Sequence, residues 1–319
     1  MINVLVTSIG SFSSEIVIKN LKVIGNRVVG TGIYPKELIA EALYVDSFYQ
    51  VPKSDSLEFK KTLLDIVYRE RIDLIIPLTD IDVDFFNFNR DAFKKSIICF
   101  SNKNVIDICR NKMKMIEFLK KSKELIQGPP TWALNQFKIE KLDSSFLCKP
   151  YDGRSSNGIV VTNKISEVKE LLESELSNKY IIQPYIEGQI VCVDVIRDDR
   201  FKHCYAMPRE ELIRTPKGAG LSVKIICDDF IIQNSIKIAE RLNIKGCVCF
   251  EFIRDKEGKY YFLECNPRFS GGIAFSCIAG YDFIGNTLKI FEGKEICKMP
   301  ELKEQFIVKH YQEVVTCRM

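Results

Sequence analysis

The segment from Glu251 to Gly272 reads EFIRDKEGKYYFLECNPRFSGG, and its pattern leaves the chain little choice of local structure. Apolar runs around residues 250–253 and 260–263 flank the polar turn Asp255-Lys256-Glu257-Gly258, which predicts two antiparallel strands joined as a hairpin. Glu251 falls in the first strand, and Glu264 and Asn266 end the second. Side chains alternate across a strand, so Glu264 and Asn266 share one face. Three oxygen ligands on a paired-strand platform, with Arg268 just beyond, suit Mg²⁺ bound to a polyphosphate. Magnesium takes few carboxylates and leaves its other positions to phosphate and water. An ordinary hairpin with exposed acids is the competing reading.

Bulk properties narrow the class. At 319 residues the chain is too long for one small core and suits two or three sub-domains. Its 46 basic and 42 acidic residues nearly balance, which gives no argument for a nucleic-acid partner. No apolar run reaches the length of a membrane span, and residues 1–6 lack the features of a signal peptide. The twelve cysteines are scattered without a CxxC pair, as expected of reduced thiols in a cytoplasmic protein. Only His203 and His310 are present, so a histidine-rich zinc site is excluded.

Along the chain, residues 1–100 alternate strand and helix signals. Strands are expected at 4–6, 28–32, 74–77 and 97–100, and helices at 15–21 and 57–68, which predicts a parallel sheet with covering helices. The loop at 7–14 follows the first strand, where ligands gather in open α/β sheets. It has one glycine, Gly10, and no G-x-G-x-x-G, so a dinucleotide fingerprint is absent. A helical connector is expected from 103 to about 124, broken by Gly128-Pro129-Pro130. Strand signals then dominate at 146–161 and 180–196, with a polar helix at 166–177 between them. A charged, glycine-containing loop is expected at 208–220, a helix at 230–242, and a tail that is helical and then strand-like at 306–315.

Three further motifs carry chemistry. In LCKPYDGRSSNG, a strand ends at Lys149 and a small polar loop follows, with Gly153, Ser155, Ser156 and Gly158. Little side-chain bulk there hinders backbone N–H groups from closing over phosphates, and a lysine at a strand end reaches phosphate as a point charge. In YIIQPYIEG, Pro184 breaks regular pairing, and free backbone groups near Gln183, Tyr185, Ile186 and Glu187 are suited to the edge of a purine ring. Arg209, Arg214 and Lys217 near Gly218 and Gly220 form a cationic loop fit to clamp a phosphate or a carboxylate. Each has a bland alternative: a hairpin tip, an edge strand entering a turn, a solvated loop.

Taken in order, lysine, phosphate loop, hinge, cationic loop, Glu and Glu-x-Asn-x-Arg resemble the ATP-grasp superfamily, specifically members similar to one ATP-grasp unit of the carbamoyl phosphate synthetase large chain. The resemblance covers nearly the whole chain, including Tyr44-Val45-Asp46, Gln50-Val51-Pro52 and the run from Ile72 to Pro77 in the N-terminal part. It implies Lys112 and Lys149 as the two ATP lysines, with Asn111 where relatives often carry Asp. It further implies Gly153, Ser155, Ser156 and Gly158 as the phosphate loop, and Gln183, Tyr185, Ile186 and Glu187 as the adenine hinge. Glu251, Glu264 and Asn266 fall on metal positions, and Arg268, Arg209 and Lys217 on catalytic ones. One departure is Ile190, where many relatives place a ribose-binding glutamate; Glu187 and Asp194 are the candidate substitutes.

The implied architecture combines α/β and α+β parts: an N-terminal parallel-sheet α/β domain (1–103), a helical connector (104–135), a small lid (136–188) and a larger C-terminal mixed subdomain (189–319). The implied activity is that of an ATP- and Mg²⁺-dependent ligase, with Mn²⁺ an alternative metal. A small-molecule carboxylate becomes an acyl phosphate and an amine-type or thiol nucleophile displaces phosphate, with ADP formed. The expected partners are those small molecules, with no nucleic acid and no membrane, and a homodimer stays open. Two other classes compete: a nucleotide-binding regulatory protein without turnover, motivated by Ile190, and a Rossmann-type oxidoreductase, motivated only by residues 1–100.

Overall fold

The first hundred residues alternate strand and helix, as their apolar periodicity predicts, in a computed structural model that describes residues 2–138, 145–154 and 156–318. They form β1 (Asn3–Val6), α1 (Ser14–Val23), β2 (Arg27–Gly32), β3 (Ser47–Gln50), α2 (Leu57–Arg69), β4 (Leu74–Ile76), α3 (Asp80–Phe88) and β5 (Ile97–Ile98). The strands pair in parallel in the order β3-β2-β1-β4-β5. Strands covered on both faces need unbroken apolar runs, which Val4-Leu5-Val6 and Leu74-Ile75-Ile76 supply. The order reverses between β1 and β4, so the loops leaving their carboxyl ends open a crevice there. β3 and α3 were not expected. The buried face of α3 mixes Asp80, Asp82 and Asn87 with Val83 and Phe86, so no apolar stripe marks it. What starts α3 is a capping box, in which Thr79 and Asp82 satisfy each other's backbone N–H groups.

The helical connector is two helices, α4 (Lys103–Cys109) and α5 (Lys112–Lys120), and the second ends short of the expected residue 124. Asn111 leaves the helical region and caps α5, its side chain accepting from the Lys114 N–H at 3.1 Å. Next come β6 (Trp132–Ala133), β7 (Phe146–Pro150), β8 (Val160–Thr162), α6 (Ile165–Glu173) and β9 (Tyr180–Pro184). These four strands form an antiparallel sheet ordered β6-β9-β7-β8 over a small core of Leu134, Cys148, Val168, Tyr180 and Ile182. The helix expected to reach residue 177 ends at Glu173.

The remainder comprises β10 (Gly188–Arg197), β11 (Cys204–Arg214), β12 (Gly220–Ile225), α7 (Asp229–Leu242), β13 (Gly246–Asp255), β14 (Tyr260–Asn266), α8 (Ile273–Ile278), α9 (Phe283–Phe291) and β15 (Gln305–Val308). An antiparallel sheet orders its strands β14-β13-β10-β11-β12-β15. Two expectations are corrected. Residues 208–214 belong to β11 rather than a charged loop, so Arg209 lies on a strand and is buried. Its charge sits inside because Asp194 and Glu211 balance it. The tail strand ends at Val308, and residues 309–318 carry no regular element.

One face of this sheet packs on α4, α5 and α7, with Val193, Phe250 and Phe262 against Met115, Ile231 and Ile238. The other face shares a core with the parallel sheet, in which Val4, Val6 and Leu21 join Met207, Val223 and Leu288. That common core fixes the crevice between β1 and β4 against the end of the β13–β14 hairpin. Among the described residues no helix is long and apolar enough to cross a membrane.

Candidate nucleotide and metal site

A cleft of about 670 Å³ runs between the four-stranded and six-stranded sheets and reaches the β1–β4 crevice. That volume falls in the range for small-molecule sites. The crevice end is lined by Ser11, Phe12 and Ser13 after β1 and by Leu78, Thr79 and Asp80 after β4.

On the cleft floor Glu251 of β13 stands directly opposite Glu264 of β14. Asn266 Nδ2 donates to Oε1 of both, at 3.3 Å each. Glu264 and Asn266 therefore share a face, as expected, and Glu251 joins them. Burial, and then the facing Glu264, raise the Glu251 carboxyl above the usual carboxylate range. Burial acts the same way on Glu264, but Lys112 and Lys149 outweigh it and hold that carboxyl below the range. Two carboxylates facing each other across a strand pair repel and favour a cation between them. The two carboxylates are hard oxygen donors that fit Mg²⁺, while Asn266 turns its Nδ2 toward them and its Oδ1 toward Arg268.

Cations ring the pair. Lys112 Nζ lies 3.2 Å from Glu264 Oε2 and donates to the Gly153 carbonyl at 2.9 Å, tying the first turn of α5 to the phosphate-loop candidate. Lys149, in β7, is 7% exposed, and burial followed by repulsion from Lys112 pushes its ammonium down to about 8. Arg214 Nη2 reaches Glu251 Oε2 at 3.2 Å, and its Nε donates to the Gly218 carbonyl at 2.9 Å. Lys217 is exposed on the turn at 215–219 and lines the cleft.

Arg268 is the most constrained cation. Its Nε and Nη2 fork onto Asp80 Oδ1 and Oδ2 at 3.0 and 3.2 Å. Nη2 also donates to Asn266 Oδ1 at 3.3 Å, and Nη1 to the Phe269 carbonyl at 3.1 Å. Behind Asp80, Arg110 forks onto Asp84 at 2.8 and 2.9 Å, and its Nη1 lies 3.7 Å from Asp80 Oδ1. Burial works to raise Asp80, but Arg268 and then Arg110 keep its carboxyl below the usual range. Asp80, Asp84 and Arg110 were missed from sequence, because their partners are far away along the chain. The only signal for them was the Thr79–Asp82 capping box directly after a strand.

The other residues singled out by the sequence divide. Gly153, Ser156 and Gly158 lie in the turn between β7 and β8; Gly153 and Ser156 reach the cleft wall and Gly158 does not, whereas Ser155 falls outside the described residues. Arg154 in that turn lies 3.5 Å from Asp84 Oδ2. Strand pairing stops at Pro184 and resumes at Gly188, leaving Tyr185, Ile186 and Glu187 outside both sheets along the cleft. Gln183 is buried with its Nε2 on Thr131 Oγ1 at 2.7 Å, so its side chain braces the hinge.

Arg209 borders the cleft, but its guanidinium is held by Asp194 at 2.5 Å, Glu211 at 3.0 Å and the Ser270 hydroxyl at 3.2 Å. Arg214, and not Arg209, approaches the Glu251–Glu264 pair. Asp194 is fully buried between Arg209 and Ser276, which removes it as a ribose ligand. Glu187 pairs with Lys256 at 2.6 Å, and Ile190 lines the cleft at the position expected of a ribose-binding acid.

Two family models match the chain: "ATP-grasp in the biosynthetic pathway with Ter operon" over residues 177–314 and "PylC-like, N-terminal domain" over residues 4–100. A D-alanine–D-alanine ligase of Aquifex aeolicus (strain VF5) is 24% identical over 130 residues, 38% of this chain and 44% of the ligase. The alignment thus spans less than half the length of that curated relative. Two solved structures share the fold. One is the biotin carboxylase domain dimer of Hydrogenobacter thermophilus 2-oxoglutarate carboxylase with MgADP, ADP and bicarbonate, at TM-score 0.78 and 18% identity, covering 92% of this chain and 70% of that one. The other is Staphylococcus aureus N5-carboxyaminoimidazole synthetase complexed with ADP, at 0.77 and 16%, covering 96% and 82%.

Proposed function

The chain carries an ATP-grasp domain, and from that premise we propose that it is a magnesium-dependent ligase that activates a small-molecule carboxylate with ATP and joins it to an amine-type nucleophile, releasing ADP. The observation that carries the reading is the pair Glu251–Glu264 with Asn266 between them, ringed by Lys112, Lys149, Arg214 and Arg268 in one cleft. A polyphosphate with a divalent cation satisfies that charge pattern.

The backbone of residues 185–187 would take adenine, and the turn carrying Gly153, Ser156 and Gly158 would cover the phosphates. Lys112 and Lys149 offset phosphate charge. Glu251, Glu264 and Asn266 would hold Mg²⁺ or Mn²⁺, which supplies charge neutralisation across phosphate oxygens. The substrate carboxylate enters from the β1–β4 crevice and its oxygen attacks the γ-phosphorus, breaking the bond to ADP. Arg268 steadies the transferring group, with Arg214 and Lys217 adding positive charge; positioning and charge are what a protein contributes to such a transfer. The amine then attacks the acyl carbon and phosphate leaves. Closure of the small sheet over the cleft keeps water from the acyl phosphate. Arg209, held between two carboxylates, acts in this scheme by fixing the floor. The twelve cysteines, none of them paired, support a reducing cytoplasmic setting, and the dimeric biotin carboxylase domain motivates a homodimer as part of the proposal.

A regulatory nucleotide-binding protein without turnover is the second reading, favoured by Ile190 lining the cleft. A panel of acids and amines with MgATP separates the two. ADP release that needs both an acid and an amine supports the ligase. Calorimetric ATP binding without ADP release from any pair supports the regulator.

A further inference from the structure

Arg268 has five N–H donors, as any guanidinium does. Asp80 takes two, and Asn266 Oδ1 and the Phe269 carbonyl take one each, which leaves one Nη1 proton without a partner among the described residues. A planar fork held on both oxygens of a carboxylate cannot swing, so the direction of that last donor is fixed by Asp80. Asp80 lies 188 residues away along the chain, at the start of α3 on the parallel sheet, and its side chain is 8% exposed. It is braced in turn by Arg110, itself forked onto Asp84 one turn along α3.

We infer that Asp80 is a positioning residue for phosphoryl transfer: through its two-oxygen clamp, the first turn of α3 aims Arg268 at the transferring group. The inference rests on the ligase reading only for what Arg268 touches. It makes the N-terminal sheet part of the catalytic apparatus rather than a bystander beside a complete nucleotide site. Thr79 and Asp80 also line the crevice where the carboxylate enters, so the element that meets the substrate also sets the arginine.

The test is a double-mutant cycle of Asp80→Asn and Arg268→Ala, read in two quantities. One is turnover. The other is the ratio of affinities for a non-hydrolysable ATP analogue and for ADP by calorimetry, which isolates the γ-phosphoryl contact and needs no turnover. Asp80→Asn is expected to lower turnover about 100-fold, the order for a misplaced reacting group. It should lower the affinity ratio as well and leave ADP affinity unchanged. In the Arg268→Ala background it should change neither quantity. Equal losses in both backgrounds, or an unaltered affinity ratio in Asp80→Asn, would overturn the inference. Absence of wild-type turnover on every acid–amine pair would instead sink the ligase reading, and the affinity ratio would still decide the role of Asp80. Should Asp80→Asn lose ADP binding through misfolding, Asp80→Glu takes its place in the same cycle under the same criteria.

Discussion

Lys149 sits where a positive charge is costly, a cost that the proposed polyphosphate would offset. Burial and Lys112 push its ammonium down to about 8. Its unfolded value is about 10.4, so between pH 8 and 10 the unfolded chain holds a proton that the folded chain has lost. Stability of the nucleotide-free protein therefore rises with pH across that window. Lys149→Met should raise the melting temperature at pH 7 and remove that rise, while weakening ATP binding roughly 10–100-fold, the worth of a charged hydrogen bond. ATP affinity of the wild type should fall as pH passes above about 8, where binding must bring back the proton. Calorimetry showing undiminished ATP affinity in Lys149→Met would contradict this role. Glu264→Gln tests the other charge. It relieves the repulsion between Glu264 and the facing Glu251, which offsets the lost pairing with Lys112, so the fold should persist while turnover drops on the order of 100-fold. Turnover at the wild-type rate in saturating Mg²⁺ would exclude Glu264 from metal binding. Both residues were legible in the sequence because each ends an apolar strand run. Asp80 was not, since nothing local distinguishes it from a capping acid at the start of a helix.

At the scale of elements, the hairpin β13–β14 was readable from its apolar runs and its turn, since hairpin register is set by residues close in sequence. β11 was misread for the opposite reason. Charge in residues 208–214 suggests a loop, and a buried Arg209 is tolerable because the distant Asp194 joins Glu211 in pairing it. The connector was legible as helical, but its division at Asn111 rests on a cap, which a periodicity count does not see. The four-stranded sheet has the smallest core of the three, and little apolar burial holds the β7–β8 turn. Amides at 152–154 and 156–158 should exchange quickly without nucleotide and slowly with a non-hydrolysable ATP analogue. Equal protection in both states would make this turn a structural hairpin tip and remove the phosphate cradle.

Across the whole molecule, the parallel sheet and the six-stranded sheet share one core, and the Asp80–Arg268 clamp crosses the same boundary. The architecture was legible as a succession of strand–helix alternation, a small strand-rich part and an acid-bearing hairpin. Its assembly was not, because the contacts that bring the β1–β4 crevice to Arg268 join residues nearly two hundred positions apart. That assembly places the β1–β4 crevice, the lysines and the Glu251–Glu264 pair around one volume, and the proposed phosphoryl transfer to a carboxylate rests on that geometry. The most direct test follows a labelled oxygen. With MgATP, an acid that supports ADP release and carries ¹⁸O in its carboxylate, and the amine, each phosphate released should contain one ¹⁸O atom from the acid, with ADP formed in equal amount. Release of AMP and pyrophosphate, or of unlabelled phosphate with ADP, would contradict an acyl phosphate made in this cleft.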